Sequence, residues 1–559
     1  MSPLYANPSS PPTSAFGPDF PFDYKHWIGD TGGLGEIPES FYGREVAVVG
    51  AGIAGVVAAY ELMKMGFKPV IFEADRIGGR LRSHKFDGVD DVFAELGGMR
   101  FPRSSTAFYH YVDELGLSTR PFPNPLSAGA NSTVIDIGGI TSYAETIDDL
   151  PPIYREISSA WRAALEDGAQ LSAMHQAVRE KDVDRIKAIW NPLIQRWDER
   201  TFYDFLAQAK AFSSLSFRHR EIFGQVGFGT GGWDSDFSNT MLEIFRVVMT
   251  GCEDDQYYIL EGAEQVVRRL WAHAPSHLMH WSPGTSLQRL HRDVPETAVA
   301  KICRSDDGRR LEITDRRGLS RQYDAAIITC QTWLLTTNIE VDESLFSQEL
   351  WMALDRTRYM QSSKTFVMVD HPFWKMKSSA TSRDLMSMTL TDRLTRGTYL
   401  FDYGDDRPGV ICLSYAWMSD ALKMLPLSTE RRVEIALTVL EKIYPKLDIK
   451  QHIIGDPVTV SWEADPNFSG AFKGALPGHY RYNRRMFTHF MQDKLPASQR
   501  GIFLAGDDIS WTPGWAEGAV QTALNAVWGI MHYFGGASPA KNPGPGDRYS
   551  DIEPLSLAD

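Results

Sequence analysis

The apolar positions change period along the chain. Residues 45–49 (EVAVV) form a short β-branched run, and Gly50-Ala-Gly-Ile-Ala-Gly55 follows at once. From 54 to 65 (AGVVAAYELMKM) the apolar residues fall at helical spacing up to Gly66, a residue suited to the turn after a helix. KPVIFEA then reads as a second strand ending at Glu73, so this stretch predicts a βαβ unit. Residues 151–225 are mostly helical in pattern, as in LPPIYREISSAWRAALEDG and VDRIKAIWNPLIQRW. Residues 298–330 alternate like a hairpin followed by a strand, and 365–370, 398–402 and 409–415 also read as strands. A helix is expected over 430–444, then a strand at 501–507 running into a long helix from about 515 to 533. Strands and helices alternate around an inserted helical block, which makes the chain α/β.

Composition adds bounds. At 559 residues the chain is too long for one simple domain and predicts two, or one large α/β unit with an inserted partner. Hydrophobic residues at 43% and charged residues at 23% exclude disorder as the main state. Aromatic residues at 12%, with 15 Trp, suggest an apolar pocket. A net charge of −14 argues against a nucleic-acid binder and against anchoring on anionic lipid. The four cysteines Cys252, Cys303, Cys330 and Cys412 form no CxxC pair, so reduced thiols in a cytosol are the simple reading. The N-terminus lacks the basic start and apolar core of a secretory signal, and no run of 18 apolar residues occurs. Residues 1–40, rich in Pro, Gly and Ser, predict an extended arm on the body or on a second subunit, with 1–15 open to being a disordered tail. The last segment, from 535, reads as another extended tail.

The glycine fingerprint carries the first chemistry. It follows a strand, opens a helix and meets an acid, Glu73, at the end of the next strand. Gly50 permits the tight turn, Gly52 lets backbone approach a pyrophosphate, and Gly55 lets helix and strand pack closely. Glu73 is placed to accept from ribose hydroxyls. The competing reading is a glycine-rich turn without a ligand. Gly78-Gly79-Arg80 then supplies a second backbone approach that an NAD site does not need, and Gly97-Gly98-Met99-Arg100 brings another glycine pair. Gly506-Asp507 ends a late strand and Pro513-Gly-Trp515-Ala516 opens a helix, which suits a flavin better than a nicotinamide. No HxH or HExxH spacing and no GxSxG elbow appear, so neither a metal nor a serine hydrolase is assigned.

GAGIAG, RIGGR, GGMRF and AGD…W…EGAVQTA together resemble the FAD-dependent amine oxidase superfamily over residues 41–535. ELGGMRFPRSSTAFYHYVDELGL, FGTGGWDSDF, QSSKTFVMVD, LSYAWMSDALKML and SWEADPNFSGAFKGALPGHY are similar to the bacterial flavin amino-acid monooxygenases, of the tryptophan type and, more closely, the L-lysine 2-monooxygenase type. The resemblance implies a Rossmann-like FAD-binding domain of amine oxidase type. It is interleaved with a substrate domain of mixed sheet and helices carrying a helical insertion. The expected division is an arm at 1–40, FAD-binding parts at 41–105, 255–340 and 455–535, substrate parts at 106–254 and 341–454, and a tail at 536–559.

The same resemblance implies FAD contacts from Gly50, Gly52, Ala54, Gly55, Glu73, Ala74, Gly79, Arg80, Gly97, Gly98, Met99, Arg100, Val299, Trp462, Gly506, Asp507, Trp515 and Ala516. Arg100 would grip a substrate carboxylate, since a guanidinium fork matches one bidentately; a salt bridge is the alternative. Lys364 matches a lysine that in relatives holds a water near the flavin, the alternative being an exposed strand-end lysine. Trp515 and Cys252 join Arg100 and Lys364 as catalytic candidates, although Cys252 reads equally as a small buried hydrophobe. Trp417, Trp462, Phe472 and Trp515, with Tyr415 more weakly, would cage the amine and aliphatic stem, or simply pack the core. Asp236, with Asp234 beside it, would meet a distal ammonium; as a polar turn they would merely cap backbone. The implied activity is oxidative decarboxylation of L-lysine by O2 to 5-aminopentanamide, CO2 and water, with a side oxidase route to keto acid, ammonia and H2O2. A general L-amino-acid oxidase or tryptophan 2-monooxygenase is the alternative, and a GDP-dissociation-inhibitor-like binding protein a remote one. A homodimer in the cytoplasm completes the expectation.

Overall fold

The computed structural model describes residues 16–226 and 237–558. Its frame is a five-stranded, wholly parallel sheet in the order Glu296–Thr297, Lys68–Glu73, Glu45–Val49, Ala326–Ile328, Ile502–Leu504. Strands far apart in sequence thus lie side by side, and their near-continuous apolar character follows from burial on both faces. The helix Ile53–Lys64 crosses between the first two strands of the chain and ends before Gly66, which takes φ +98° as the glycine there predicts. It packs against the long helix Ala516–Tyr533. Val299–Arg304, Leu311–Asp315 and Ser320–Tyr323 form the antiparallel sheet that contains the predicted hairpin, with Glu340–Val341 added in parallel at its edge.

A second, seven-stranded mixed sheet has Ser362–Val369 and Gly409–Trp417 paired antiparallel near one edge. Every residue of Ser362–Val369 is buried, so Lys364 sits inside the protein, not at an exposed strand end. The helical block runs from Pro152–Ala169 through Phe217–Val226 and on to Met241–Met249. Its core is aromatic: Trp161, Trp190 and Trp197 are almost wholly buried among Phe202, Phe205, Phe212 and Phe245. Much of the aromatic surplus therefore packs this block, and only part of it lines a pocket.

Both ends lie on the chain's own body, as one of the two readings of the N-terminal arm expects. Phe16, Phe20, Phe22 and Trp27 are buried, and Asp19 forms a bidentate buried pair with Arg246 at 2.6 and 3.0 Å. Residues 16–40 thus dock on the chain's own body and include a short helix, Tyr24–Gly29. At the other end Asn542 donates to Trp27 O at 3.0 Å, Trp528 donates to Asp547, and Tyr549–Ile552 is helical. Apolar anchors spaced within Pro- and Gly-rich sequence hold both segments down; composition alone hides them.

Candidate active site

A cavity of about 290 Å³ runs from the strand end at Glu73 to the large mixed sheet. Its first wall is the crossing of two glycine turns. Gly52 and Gly78 bridge in parallel fashion, Gly79 takes φ +59°, and a Cβ there would lie 3.0 Å from Gly52 Cα. Only glycine permits that approach. The helix behind Gly52 starts with no side-chain cap, so its N–H groups and positive dipole end are available to an anion. Gly55 does not line the cavity. Its Cβ would meet Gly50 O at 2.0 Å, which is the helix–strand packing role its place in the fingerprint predicts. Glu73 closes this end and accepts from the backbone N–H of Ala51 at 2.6 Å and Asp75 at 2.9 Å. Burial raises its pKa, opposed by these hydrogen bonds.

Farther along, Arg80 and Asp507 form a bidentate pair, with Arg80 also donating to Ala471 O at 3.1 Å and Asp507 accepting from Gly514 N–H at 3.0 Å. The sequence assigned both residues to a ligand separately; here each fixes the other, and both line the cavity. Trp515 and Ala516 open the second uncapped helix onto the same space. Val299, Ala54, Ala74 and Trp462 contribute to the wall, with Trp462 Nε1 donating to Leu96 O at 3.0 Å.

The deep end is formed by Gly97, Gly98, Met99 and Arg100 beside Lys364. Lys364, 3% exposed, donates to Glu95 O at 3.0 Å and to Gly97 O. Burial pulls its pKa down to about 8. Two of its three protons therefore hold the glycine loop that delivers Arg100, leaving one donor for anything else. The Arg100 guanidinium stands 5.5 Å from the Phe122 ring and 5.7 Å from Tyr415, makes no ion pair with a described residue, and keeps a buried Nη1 without a hydrogen bond. A buried N–H without an acceptor is costly, so a bound acceptor is the natural complement. Tyr415, Trp417 and Phe472 stack edge-on in sequence, with centroids 5.3 and 5.5 Å apart, and all three line the space in front of it.

One assigned residue lies away from this wall. Cys252 is buried against Thr250 Oγ1 at 3.2 Å, outside the cavity wall, and burial pushes its thiol up to about 12, so it remains a protonated packing group. Asp234 and Asp236 lie outside the described residues. In turn the wall contains two carboxylates the sequence reading passed over, Glu243 and Glu253. Glu243 stands out in hindsight as an acid within the apolar nonamer MLEIFRVVM, whereas Glu253 was masked by its acidic run with Asp254 and Asp255. Away from the cavity, Asp370 accepts from His371 and His452 at 2.8 and 3.2 Å, a grouping that no local spacing announces.

These walls fit an FAD: paired glycine turns and a helix start for the pyrophosphate, an acid at a strand end for ribose, and a second helix start at the far end. The sequence profile of the flavin containing amine oxidoreductases matches residues 53–531. The chain belongs to this family. Its cofactor is FAD. The oxidoreductase is similar to the tryptophan 2-monooxygenases of Agrobacterium vitis (30% identical, over 95% of this chain and 72% of that protein) and Pantoea agglomerans pv. gypsophilae (29%, 93% and 94%). It is also similar to an L-amino-acid oxidase of Siganus canaliculatus (24%, 88% and 86%). Among solved structures, cyclohexylamine oxidase from Brevibacterium oxydans superposes with a TM-score of 0.65 at 19% identity, and putrescine oxidase bound to putrescine with 0.61 at 18%. Each covers 88% of this chain and 99% of its own, and confirms the amine oxidase fold. The two monooxygenase relatives carry tryptophan, not lysine, in their names, so the lysine-type resemblance narrows to the flavin oxidoreductase family at this point. Among the described residues no helix is long and apolar enough to cross a membrane.

Proposed function

We propose that this oxidoreductase is an L-amino-acid monooxygenase that converts L-lysine and O2 to 5-aminopentanamide, CO2 and water. The observation that carries this reading is the buried Arg100 N–H without a partner, facing a cage of Tyr415, Trp417 and Phe472. A simple amine oxidase has no carboxylate to place on such a group. FAD, when bound, supplies the two-electron acceptor and the site of oxygen reduction. Arg100 binds the carboxylate bidentately and so sets the direction of Cα–H. The aromatic cage excludes water and favours the neutral α-amine. Lys364 keeps the glycine loop in place, and its remaining proton is free for a water or the reacting centre. The same grip decides the products. An imino acid kept on Arg100 would meet the H2O2 formed from O2, which adds to its C=N carbon; breaking the O–O and C–carboxylate bonds leaves the amide, CO2 and water. One that escapes is hydrolysed to keto acid and ammonia, with the H2O2 released.

The names of the relatives favour a second reading, tryptophan as substrate. The Glu253 carboxylate in the cavity wall weighs towards a cationic substrate, because an indole N–H offers it a hydrogen bond but no charge. Aerobic turnover of lysine, ornithine, norleucine and tryptophan, with amide, keto acid and H2O2 quantified, separates these readings. Amide from lysine in step with O2 uptake is the expected result; a preference for tryptophan overturns the lysine reading. A homodimer in a reducing compartment belongs to the same proposal, in keeping with four free cysteines, and sedimentation tests the dimer.

A further inference from the structure

Glu243 and Glu253 are both buried in the cavity wall, but their surroundings differ. Glu243 accepts from Ala475 N–H at 2.5 Å and from Asn239 Nδ2 at 3.1 Å. Glu253 is 7% exposed, lines the cavity, and makes no hydrogen bond or ion pair with any described residue. Its backbone is well held. The helix Met241–Met249 stops just before it, Gly251 turns the chain at φ +68°, and Gln256 Nε2 donates to Cys252 O at 2.7 Å. The strand Gln256–Ile259 then pairs with Phe101–Pro102, the two residues that follow Arg100. One small antiparallel ladder is therefore flanked by Arg100 at one end and by Glu253 near the other.

A largely buried carboxylate that faces the cavity without protein donors is best matched by a cation once a ligand displaces water from the cavity. Burial raises the pKa of Glu253, and the charge of Arg100 opposes that rise. The two groups are thus near enough to influence one another yet form no ion pair. Of the other cations of the wall, Arg80 is committed to Asp507 and Lys364 largely to backbone carbonyls, while Arg316 lies at the far end beside Ala298 and Val299. Among the described residues, the deep end of the cavity accordingly presents one positive and one negative charge, Arg100 and Glu253, that form no ion pair. A molecule that satisfies both has an anion at one end and a cation at the other. The α-amine is not that cation, because it gives up its electrons in the neutral form.

We infer that Glu253 is the specificity-determining residue that receives the distal ammonium or guanidinium of a basic amino acid, an inference that rests on the amino-acid reading above. An α-amino acid with a neutral side chain leaves this carboxylate unpaired; lysine, ornithine or arginine pairs it.

The test uses two probes that lack the reacting amine, 6-aminohexanoate and hexanoate, titrated into the flavin-loaded enzyme and followed by the visible absorbance of the bound flavin. The wild type is expected to bind 6-aminohexanoate at least about tenfold more tightly than hexanoate. In Glu253→Gln, checked for full flavin content, that ratio falls to within about twofold of one, while Glu253→Asp retains part of it. The kcat/KM ratio of lysine to norleucine follows the same order. A Glu253→Gln enzyme with the wild-type ratio overturns the inference and leaves the amino-acid reading standing; loss of the ratio in Asp236→Asn instead assigns the role to Asp236. A wild type that does not discriminate between the two probes overturns this inference together with the preference for lysine.

Discussion

Arg100 and Gly79 show how single residues set the chemistry. The Arg100 guanidinium is buried against aromatic rings with an N–H left over, an arrangement stable only if something accepts from it. Arg100→Met is expected to lower kcat/KM for amino acids by about 10²–10³-fold, the scale of a bidentate charge-assisted pair, while the value for amines without a carboxylate changes by less than about threefold. Equal loss on both substrate classes would remove the carboxylate role. At Gly79 both the positive φ and the 3.0 Å approach to Gly52 Cα forbid a side chain. Gly79→Val should purify with well under one flavin per chain, read from the visible-to-ultraviolet absorbance ratio; full occupancy would place the pyrophosphate elsewhere. Both residues were legible in the sequence because their neighbours form local motifs. Glu253 was not, since an acid in an acidic run looks solvated until the fold turns it inward.

At the scale of elements, the strand–glycine turn–helix unit and the long C-terminal helix follow directly from their apolar periods. Their starts lie on the cavity because parallel strands deliver helix N-termini to one edge of the sheet. The second helix does more than face the ligand. Glu517, in its first turn, accepts from Ala107 and Phe108 N–H at 3.2 and 2.7 Å and so caps the separate helix Thr106–Glu114. Burial raises its pKa to about 7, and the same holds for Glu95. With the folded value above the unfolded one, the folded state binds the extra proton between about pH 4.5 and 7, so stability falls as pH rises through that window. Glu517→Gln should remove its share, about 3 kcal/mol of the change between pH 4.5 and 7. Urea melts at several pH values check this; an unchanged slope would mean Glu517 ionises as freely as in the unfolded chain. No sequence pattern announces such a cap, because its partners are some 410 residues away.

Across the whole molecule, what the sequence concealed is long-range closure. Strands Glu45–Val49, Ala326–Ile328 and Ile502–Leu504 were each readable, but their adjacency comes from burial of all three in one sheet. The arm is tied down by Asp19 on Arg246, flanked by Trp190 and Trp511. Asp19→Leu leaves a buried guanidinium unpaired and is expected to cost about 3–5 kcal/mol, whereas Asp19→Leu combined with Arg246→Met should cost less than either of these single changes. Equilibrium unfolding of the four proteins tests it, and strict additivity would deny the pair its anchoring role. The solved neighbours of this fold oxidise simple amines by name, which frames the decisive comparison. That comparison is kcat/KM of the wild-type, flavin-loaded enzyme for L-lysine against 1,5-diaminopentane, which is lysine without its carboxylate. A preference for lysine of about 10³-fold or more is predicted from Arg100; equal or faster turnover of the diamine would contradict it.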